Sequence, residues 1–483
     1  MSSQTRRGFL RAALVAAACV ATGRSWAASK SKKVVSEAGA GTRLGGAPPL
    51  RVAVIGCGGQ GRGAHVPPAA RERLVALVDP DEQCLNKALK RAKDIVPEID
   101  TRKIRTFTDY RKLFDTMGRE LDAVLIATPN HHHALPALLA MQHGIHVFVE
   151  KPLCYSLAEA WQMAEFSRRY KVATQMGNQG HCGEGIRRLC EYIWAGAIGN
   201  VTEVYCWTNR TNGGIGPRPQ AEPPPGMDWD SWIGPAPYRE YHSDLHPHAW
   251  HGWQDFGNGS IGNMGCHVLD CPHWALKLGD PTIVELEEAF GGGEERYPLG
   301  ARIRFEFPAR GEMPPVKIYW YDGVRLDPRR PMPSIVSGEK FKGTLNRPPL
   351  VVELEKKYNR QFGTSGSLFV GDKGMMVSGT YGEATRIIPE EKHREFPPPP
   401  KVIPRVEGGV HADFFRACRD GKSACSNFET AARLTEVVLL GTLALRAGVG
   451  RKLEWDGVRK CFKNRPEMNR LLQRQNRPGW GVA

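Results

Sequence analysis

Three glycines in "LRVAVIGCGGQGRGAH" stand at G-x-G-x-x-G spacing: Gly56, Gly58 and Gly61. This spacing serves recognition of a pyrophosphate. The first glycine permits a tight turn, and the second lets backbone approach phosphate oxygens. The third lets a helix pack on a strand with its N-terminus toward the phosphates. Gly59 and Gln60 complete the turn. Asp79 follows 18 residues after Gly61, at the end of "RLVALVDP". A carboxylate there bonds both hydroxyls of an adenosine ribose and repels a 2′-phosphate, which favours NAD over NADP. Lys151, in "VFVEKPL", offers a second chemistry. A lysine at a strand end, partly desolvated beside a nicotinamide cation, has a depressed pKa and hydrogen-bonds a substrate hydroxyl. The third stretch is "ATPNHHHALP", residues 127–136. Consecutive helical residues point about 100° apart, so its three histidines do not converge on one metal. Thr128, Pro129 and Asn130 are the expected contacts to ribose and nicotinamide, with His131 a neighbour of the crevice. His132 and His133 read as helix-start packing and surface.

These residues need a scaffold, and the hydrophobic pattern supplies one. Short β-branched runs near residues 51, 74, 104, 122, 145 and 171 read as six strands. Between them lie segments of helical spacing, such as "DEQCLNKALKRAKDI". Strands joined by helical crossovers make a doubly wound parallel sheet, with ligand at the carboxyl ends of the strands. The glycine turn, Asp79, Thr128 and Lys151 all fall at that edge.

The chain resembles the glucose–fructose oxidoreductase, inositol dehydrogenase and MocA (Gfo/Idh/MocA) family. The resemblance rests on "VIGCGGQG", "DAVLIATPNHHHALPALLAMQHGIHVFVEKPL", "MDWDSWIGPAP", "GNGSIGNMGCHVLD" and "FETAARLTEVVLLGTLALRAGVGRKLEWD", spanning about residues 50–456. It implies an N-terminal Rossmann domain, residues 50–176. It also implies a C-terminal α/β domain, residues 177–483, with a large, mostly antiparallel open sheet that carries the substrate site and an oligomer interface. The family's E-K-P maps onto Glu150, Lys151 and Pro152. Its D-x-G-x-H-x-x-D signature maps onto Asn263, Gly265, His267 and Asp270. A helix here sets Asn263 and His267 one turn apart on one face. By this resemblance His267 takes the hydroxyl proton, Lys151 steadies the alkoxide or shares the proton, and Asp270 orients the imidazole. The chain departs from the pattern at Asn263, where relatives carry Asp. An amide orients a hydroxyl but takes no proton, so the base role falls on His267 or Lys151.

Residues 218–260 are rich in Trp, His and Pro. Their rings suit the faces of a carbohydrate, and Trp250, His251 and Trp253 are the expected pocket lining. His242, His246, His248 and His251 lack a firm metal-ligand spacing, and no metal is expected. Asn178 and His181, in "GNQGH" after the sixth strand, are expected near the crevice.

The N-terminus, "SSQTRRGFLRAALVAAACVATGRSWAASK", has a basic start, a short apolar run and small residues around Trp26. It reads as a twin-arginine export signal over residues 1–27, followed by a Gly- and Lys-rich tether over residues 28–49. That route carries folded proteins and suits one that loads its cofactor first, so a periplasmic location is expected. The formal charge is +15, of which Arg6, Arg7, Arg11 and Arg24 contribute four. The basic residues are scattered without a nucleic-acid motif. No apolar run is long enough to span a membrane. The 12 cysteines show no regular framework and read mostly as buried thiols.

Two activities fit. One is hydride exchange between tightly held NAD and a ring hydroxyl of a sugar, glycoside or cyclitol. The other is glycoside hydrolysis through transient oxidation, elimination and re-reduction. A non-catalytic sugar-binding relative is the third reading, and a homo-oligomer is the expected assembly.

Overall fold

The computed structural model describes residues 48–482 except 217, 244, 328–335 and 338–342. The expected export signal and nearly all of the tether lie outside the described residues.

The first sheet is made by β1 (Arg51–Ile55), β2 (Arg73–Val78), β3 (Arg105–Phe107), β4 (Ala123–Ile126), β5 (His146–Val149) and β6 (Thr174–Met176). Their order is β3-β2-β1-β4-β5-β6, and every neighbouring pair is parallel. Val52, Val54, Val124 and Leu125 are wholly buried, as a sheet covered by helices on both faces requires. Three of the crossover helices start at polar caps. Asp81 caps Glu82–Ile95, Asp109 caps Tyr110–Met117, and Ser156 with Glu159 forms a capping box on Leu157–Tyr170.

The second sheet belongs to the rest of the chain. Its strands are drawn from β7 (Val201–Thr208), β8 (Gly214–Ile215), β9 (Ile283–Phe290), β10 (Gly300–Phe307), β11 (Val316–Arg325), β12 (Val336–Ser337), β13 (Thr344–Leu345), β14 (Ser365–Gly371), β15 (Gly374–Gly379), β16 (Arg386–Ile388), β17 (Lys452–Asp456) and β18 (Cys461–Phe462). The order is β16-β15-β14-β7-β11-β10-β9-β17-β18, with β13 beside β11, while β8 and β12 form a separate pair. Among the described strands of this sheet, only β7 and β11 pair in parallel. The expected α/β architecture, with a parallel Rossmann sheet and a largely antiparallel second sheet, is what the chain forms.

In β10, Ile303, Phe305 and Phe307 are buried, while the alternate residues Arg302 and Arg304 pair with Glu287 and Glu285 on the other face. The apolar face meets helix Phe428–Ala447, which is buried around nearly its whole circumference. That helix packs on Leu157–Tyr170 of the first domain and on Gly259–Val268 of the second. The helix that carries Asn263 and His267 and the helix that follows the Lys151 turn are therefore referenced to one buried rod.

Two segments return to the Rossmann domain from far along the chain. In the Trp- and His-rich segment, Gly226 O accepts from Glu82 N (3.1 Å), Asp228 N donates to Pro80 O (2.8 Å), and His246 Nε2 lies 3.1 Å from Asp81 Oδ2. In the C-terminal tail, Arg474 donates to His131 O (3.0 Å), and Trp480 stacks beneath Arg111, whose guanidinium is 3.6 Å from the ring centroid. Among the described residues, no helix is long and apolar enough to cross a membrane.

Candidate functional site

A cleft of about 620 Å³ opens at the carboxyl ends of the first sheet's strands. Its size suits a ligand rather than a few waters. Gly56, Gly58, Gly59, Gln60, Asp79, Thr128, Pro129, Asn130, Glu150, Lys151, Asn263, His267, Trp250 and His251 all line it. Residues more than 200 positions apart thus meet in one wall.

The glycines divide the labour their spacing implies. Gly56 has φ +88°, and a Cβ there would stand 2.6 Å from the Ala127 backbone. A Cβ on Gly61 would fall 1.8 Å from Gly56 O, so this glycine lets the helix close on the strand. Gly58 and Gly59 face open space, leaving their backbone free toward the cleft. Asp79 accepts from Cys57 N (2.7 Å) and Asp81 N (2.9 Å). Burial lifts its pKa to about 7 against the pull of those two amides. Thr128 Oγ1 is buried and has no protein partner. An open glycine turn, a fixed carboxylate and an orphaned hydroxyl fit a dinucleotide. Gly58 to Gln60 would hold its pyrophosphate, Asp79 its ribose, and Thr128 its nicotinamide half.

At the other end of the cleft, Lys151 Nζ donates to Asn263 O (2.7 Å) and Asn263 Oδ1 (2.9 Å). Asn263 Nδ2 donates to Asn212 Oδ1 (2.8 Å), which fixes the amide's orientation. The bond from Lys151 to Pro152 is cis. Burial lowers the Lys151 pKa, Glu150 opposes that, and Arg210 adds to the lowering. Glu150 accepts from Gln60 Nε2 (2.8 Å) and stands 3.3 Å from His65 Nε2. Burial raises its pKa, but His65, Lys151 and Gln60 outweigh this and hold it at about 2. His267 lies in helix Gly259–Val268 as expected, and its buried Nδ1 has no partner. Burial, then Lys151, lowers its pKa to about 3, so the ring is neutral. Tyr381 stands edge-on to it, with ring centroids 5.1 Å apart.

Several expected placements differ. Asp270 does not orient His267. The helix carrying His267 ends at Val268, and a new helix starts at Asp270, which turns the carboxylate away. It instead meets His181 Nδ1 (2.9 Å) and Asn178 Nδ2 (3.1 Å). Asn178 and His181 lie behind the cleft wall with it, and Gln179 takes the lining position. His131 is not a crevice residue, since its ring is wedged between Phe256 O (3.3 Å) and Trp232 O (3.1 Å). His132 and His133 are buried rather than surface, and both line the cleft. His133 bridges Pro152 O (2.6 Å) and Thr128 O (2.8 Å), tying the Lys151 turn to the Thr128 turn. Trp253 is core, 1% exposed beneath Arg239 and Arg296. Pro152 and Gly61 support the wall without lining it. Of the four histidines considered for metal, His246 pairs with Asp81, in a cluster with Cys84 whose donor atoms lie within 4.8 Å of one another. His242 instead faces Arg218 O, 2.9 Å away.

Sequence reasoning missed Tyr110, Gln179, Arg210, Trp232, Tyr381 and Trp480, all of which line the cleft. Trp232 falls in "MDWDSWIGPAP" and Gln179 in "GNQGH", while the other four sit in no motif. Tyr381 lies in the β15–β16 connection, where the Gly-rich sequence reads as a structural turn.

Fold and cleft together define a two-domain α/β protein whose first domain is a Rossmann fold with a cleft suited to a dinucleotide. Residues 50–178 match the model of the Gfo/Idh/MocA oxidoreductase family's NAD-binding Rossmann fold, and residues 197–289 match that family's C-terminal α/β domain. The chain thus matches the models of both of that family's domains. It is 30% identical over 138 residues to a 2,7-anhydro-N-acetylneuraminate hydratase of Mediterraneibacter gnavus, covering 29% of this chain and 33% of that protein. It is 27% identical over 205 residues to a glycosyl hydrolase family 109 protein of Shewanella pealeana, covering 41% of this chain and 44% of that protein. These matches span less than half of either relative's length. Among solved structures, the aldose-aldose oxidoreductase of Caulobacter crescentus, complexed with glycerol, has the same fold. Its TM-score is 0.54 at 17% identity, covering 84% of this chain and 99% of that one.

Proposed function

We propose that the protein is an exported, NAD-dependent oxidoreductase that acts on a ring hydroxyl of a sugar, glycoside or cyclitol. The observation that carries this reading is the shared wall: Lys151 and His267, whose Nδ1 has no partner among the described residues, line the same cleft as the glycine turn and Asp79. NAD, when bound, supplies hydride exchange. The residues handle the proton and the geometry. Neutral His267 accepts the hydroxyl proton at a ring nitrogen. Lys151, its Nζ held by two Asn263 oxygens, donates to the substrate oxygen as negative charge develops there. Asn263 takes no proton and sets the lysine's direction. The Trp-rich segment and the C-terminal tail, bonded across Pro80, Asp81 and His131, keep water from the cleft and hold the cofactor through many turnovers.

A second reading is favoured by the similarity to a glycosyl hydrolase family 109 protein. In it the same residues serve transient oxidation, elimination and re-reduction, and the cofactor is restored in each cycle. Purified protein given a panel of glycosides, with nicotinamide absorbance followed alongside sugar release, separates the two. Net reduced cofactor without release supports the oxidoreductase. Release without net reduction overturns it in favour of the hydrolase.

A further inference from the structure

We propose that the substrate is an acidic sugar, whose carboxylate is held by Arg210 while a ring hydroxyl sits at Lys151 and His267. This rests on the reading of the cleft as a sugar site. Arg210 follows β7 and lines the cleft near Lys151. Its backbone is braced on both sides. Arg210 N donates to Thr208 Oγ1 (3.3 Å), Ser260 Oγ donates to Arg210 O (3.0 Å), and Asn212 N donates to that same Ser260 Oγ (2.8 Å). Asn212 in turn bonds the Asn263 that holds Lys151. The guanidinium is therefore displayed from a fixed backbone, two residues from the catalytic network.

Its head is exposed and has no hydrogen-bond or ion-pair partner among the described residues. Other arginines of the cleft's surroundings are engaged: Arg239 with Asp255 and Glu295, Arg474 with Glu159, and Arg477 with Asp230. Lys151, Arg210, His133, His248, His251, His267, Tyr381 and Glu150 are titratable groups that line the cleft, together with Asp79 and Asp109. Each of these carboxylates is taken: Glu150 by Gln60, the Lys151 amide and His65, Asp79 by the Cys57 and Asp81 amides, and Asp109 by Arg111. A second observation points the same way. His251 is 8% exposed and lines the cleft with a buried Nδ1 that has no partner. Two cations and unpartnered imidazole nitrogens around a space without a free acid make a site for an anion. A planar guanidinium fork matches a carboxylate in bidentate fashion. The same anion would offset the repulsion between Arg210 and Lys151.

The test compares matched pairs, glucose with glucuronate and methyl glucoside with methyl glucuronide, with glucose 6-phosphate as a further arm. The readout is kcat/KM from nicotinamide absorbance for wild type and Arg210→Gln. The proposal expects the acid to exceed its neutral partner by roughly ten- to hundredfold, the worth of a charge-assisted contact. In Arg210→Gln that ratio falls toward one, while NAD affinity and melting temperature stay at the wild-type values. Equal rates on acid and neutral sugars overturn the inference and leave the proposed function standing. No reaction on any sugar overturns the proposed function itself. A preference for the phosphate over the uronate overturns the carboxylate assignment. Loss of NAD affinity in Arg210→Gln assigns the guanidinium to the cofactor instead and overturns the proposal.

Discussion

Lys151 Nζ lies 2.7 Å from the main-chain oxygen of Asn263 and 2.9 Å from its side-chain Oδ1, across the junction of the two domains. One end of this contact is fixed by a parallel strand and the other by a helix packed on the buried rod Phe428–Ala447. An amide rather than a carboxylate at position 263 has a consequence for the lysine. Asn263 offers two neutral oxygens to an ammonium, and Lys151 keeps Glu150 and Arg210 as its main charged neighbours. Replacing Asn263 with Asp places a charge beside Nζ and raises the lysine's pKa. We expect the pH at which turnover reaches half its maximum to move upward in Asn263→Asp, read from kcat/KM against pH.

His267 is predicted to contribute through its neutral ring. His267→Ala should lower kcat about 10²- to 10⁴-fold, the usual worth of a positioned acid–base group. KM should change little. Steady-state kinetics that show unchanged kcat would move the proton to Lys151 alone.

Asp270 and His181 form a buried pair away from the reacting end. Burial lowers the His181 pKa, but Asp270 outweighs this and leaves it raised above 6.5. The stability this pair supplies is fully present below about pH 6.5, the unfolded value. It is lost as pH rises through the folded value. Asp270→Asn should cost about 3 kcal/mol at acidic pH and less at alkaline pH. Denaturant unfolding at several pH values reads this, and a penalty independent of pH would contradict it. Kinetics of the folded variant should be milder than those of His267→Ala.

Asp79 is the residue proposed to select NAD over NADP. Asp79→Ala removes the acceptor for ribose hydroxyls and the repulsion of a 2′-phosphate. NAD affinity should fall about tenfold or more, as for loss of a charged hydrogen bond, while NADP is affected less. Calorimetry with both nucleotides measures it.

Trp480 and the Trp-rich segment carry the claim of cofactor retention. Trp480→Ala removes the ring packed on Tyr110 and beneath Arg111 at the cleft wall. We expect faster release of NAD in a stopped-flow exchange experiment, with the Lys151 chemistry intact. An unchanged release rate would place retention elsewhere.

What the sequence made legible was local. The glycine spacing, the β-branched runs and E-K-P each lie within a few residues, so their placement follows from strand and turn rules alone. The helix bearing Asn263 and His267 was legible for the same reason. The partner of Asp270 was not, because a break at Leu269 redirects its side chain toward Asn178 and His181, about 90 residues away in sequence. His131 reads like its neighbours, yet Phe256 and Trp232 from the second domain bury it. Arg210, Tyr381 and Trp480 reach the cleft only through sheet register and the path of the tail, which no spacing encodes.

The central proposal is that Lys151, by donating to the substrate oxygen, assists hydride exchange between a sugar and a bound nicotinamide. Its most direct test is single-turnover absorbance of reduced nicotinamide in wild type and Lys151→Ala, each loaded with NAD and mixed with acidic and neutral sugars. The account predicts a burst in wild type and, in the variant, a loss of about 10³-fold or more with the nucleotide still bound. An unchanged burst in Lys151→Ala would contradict it.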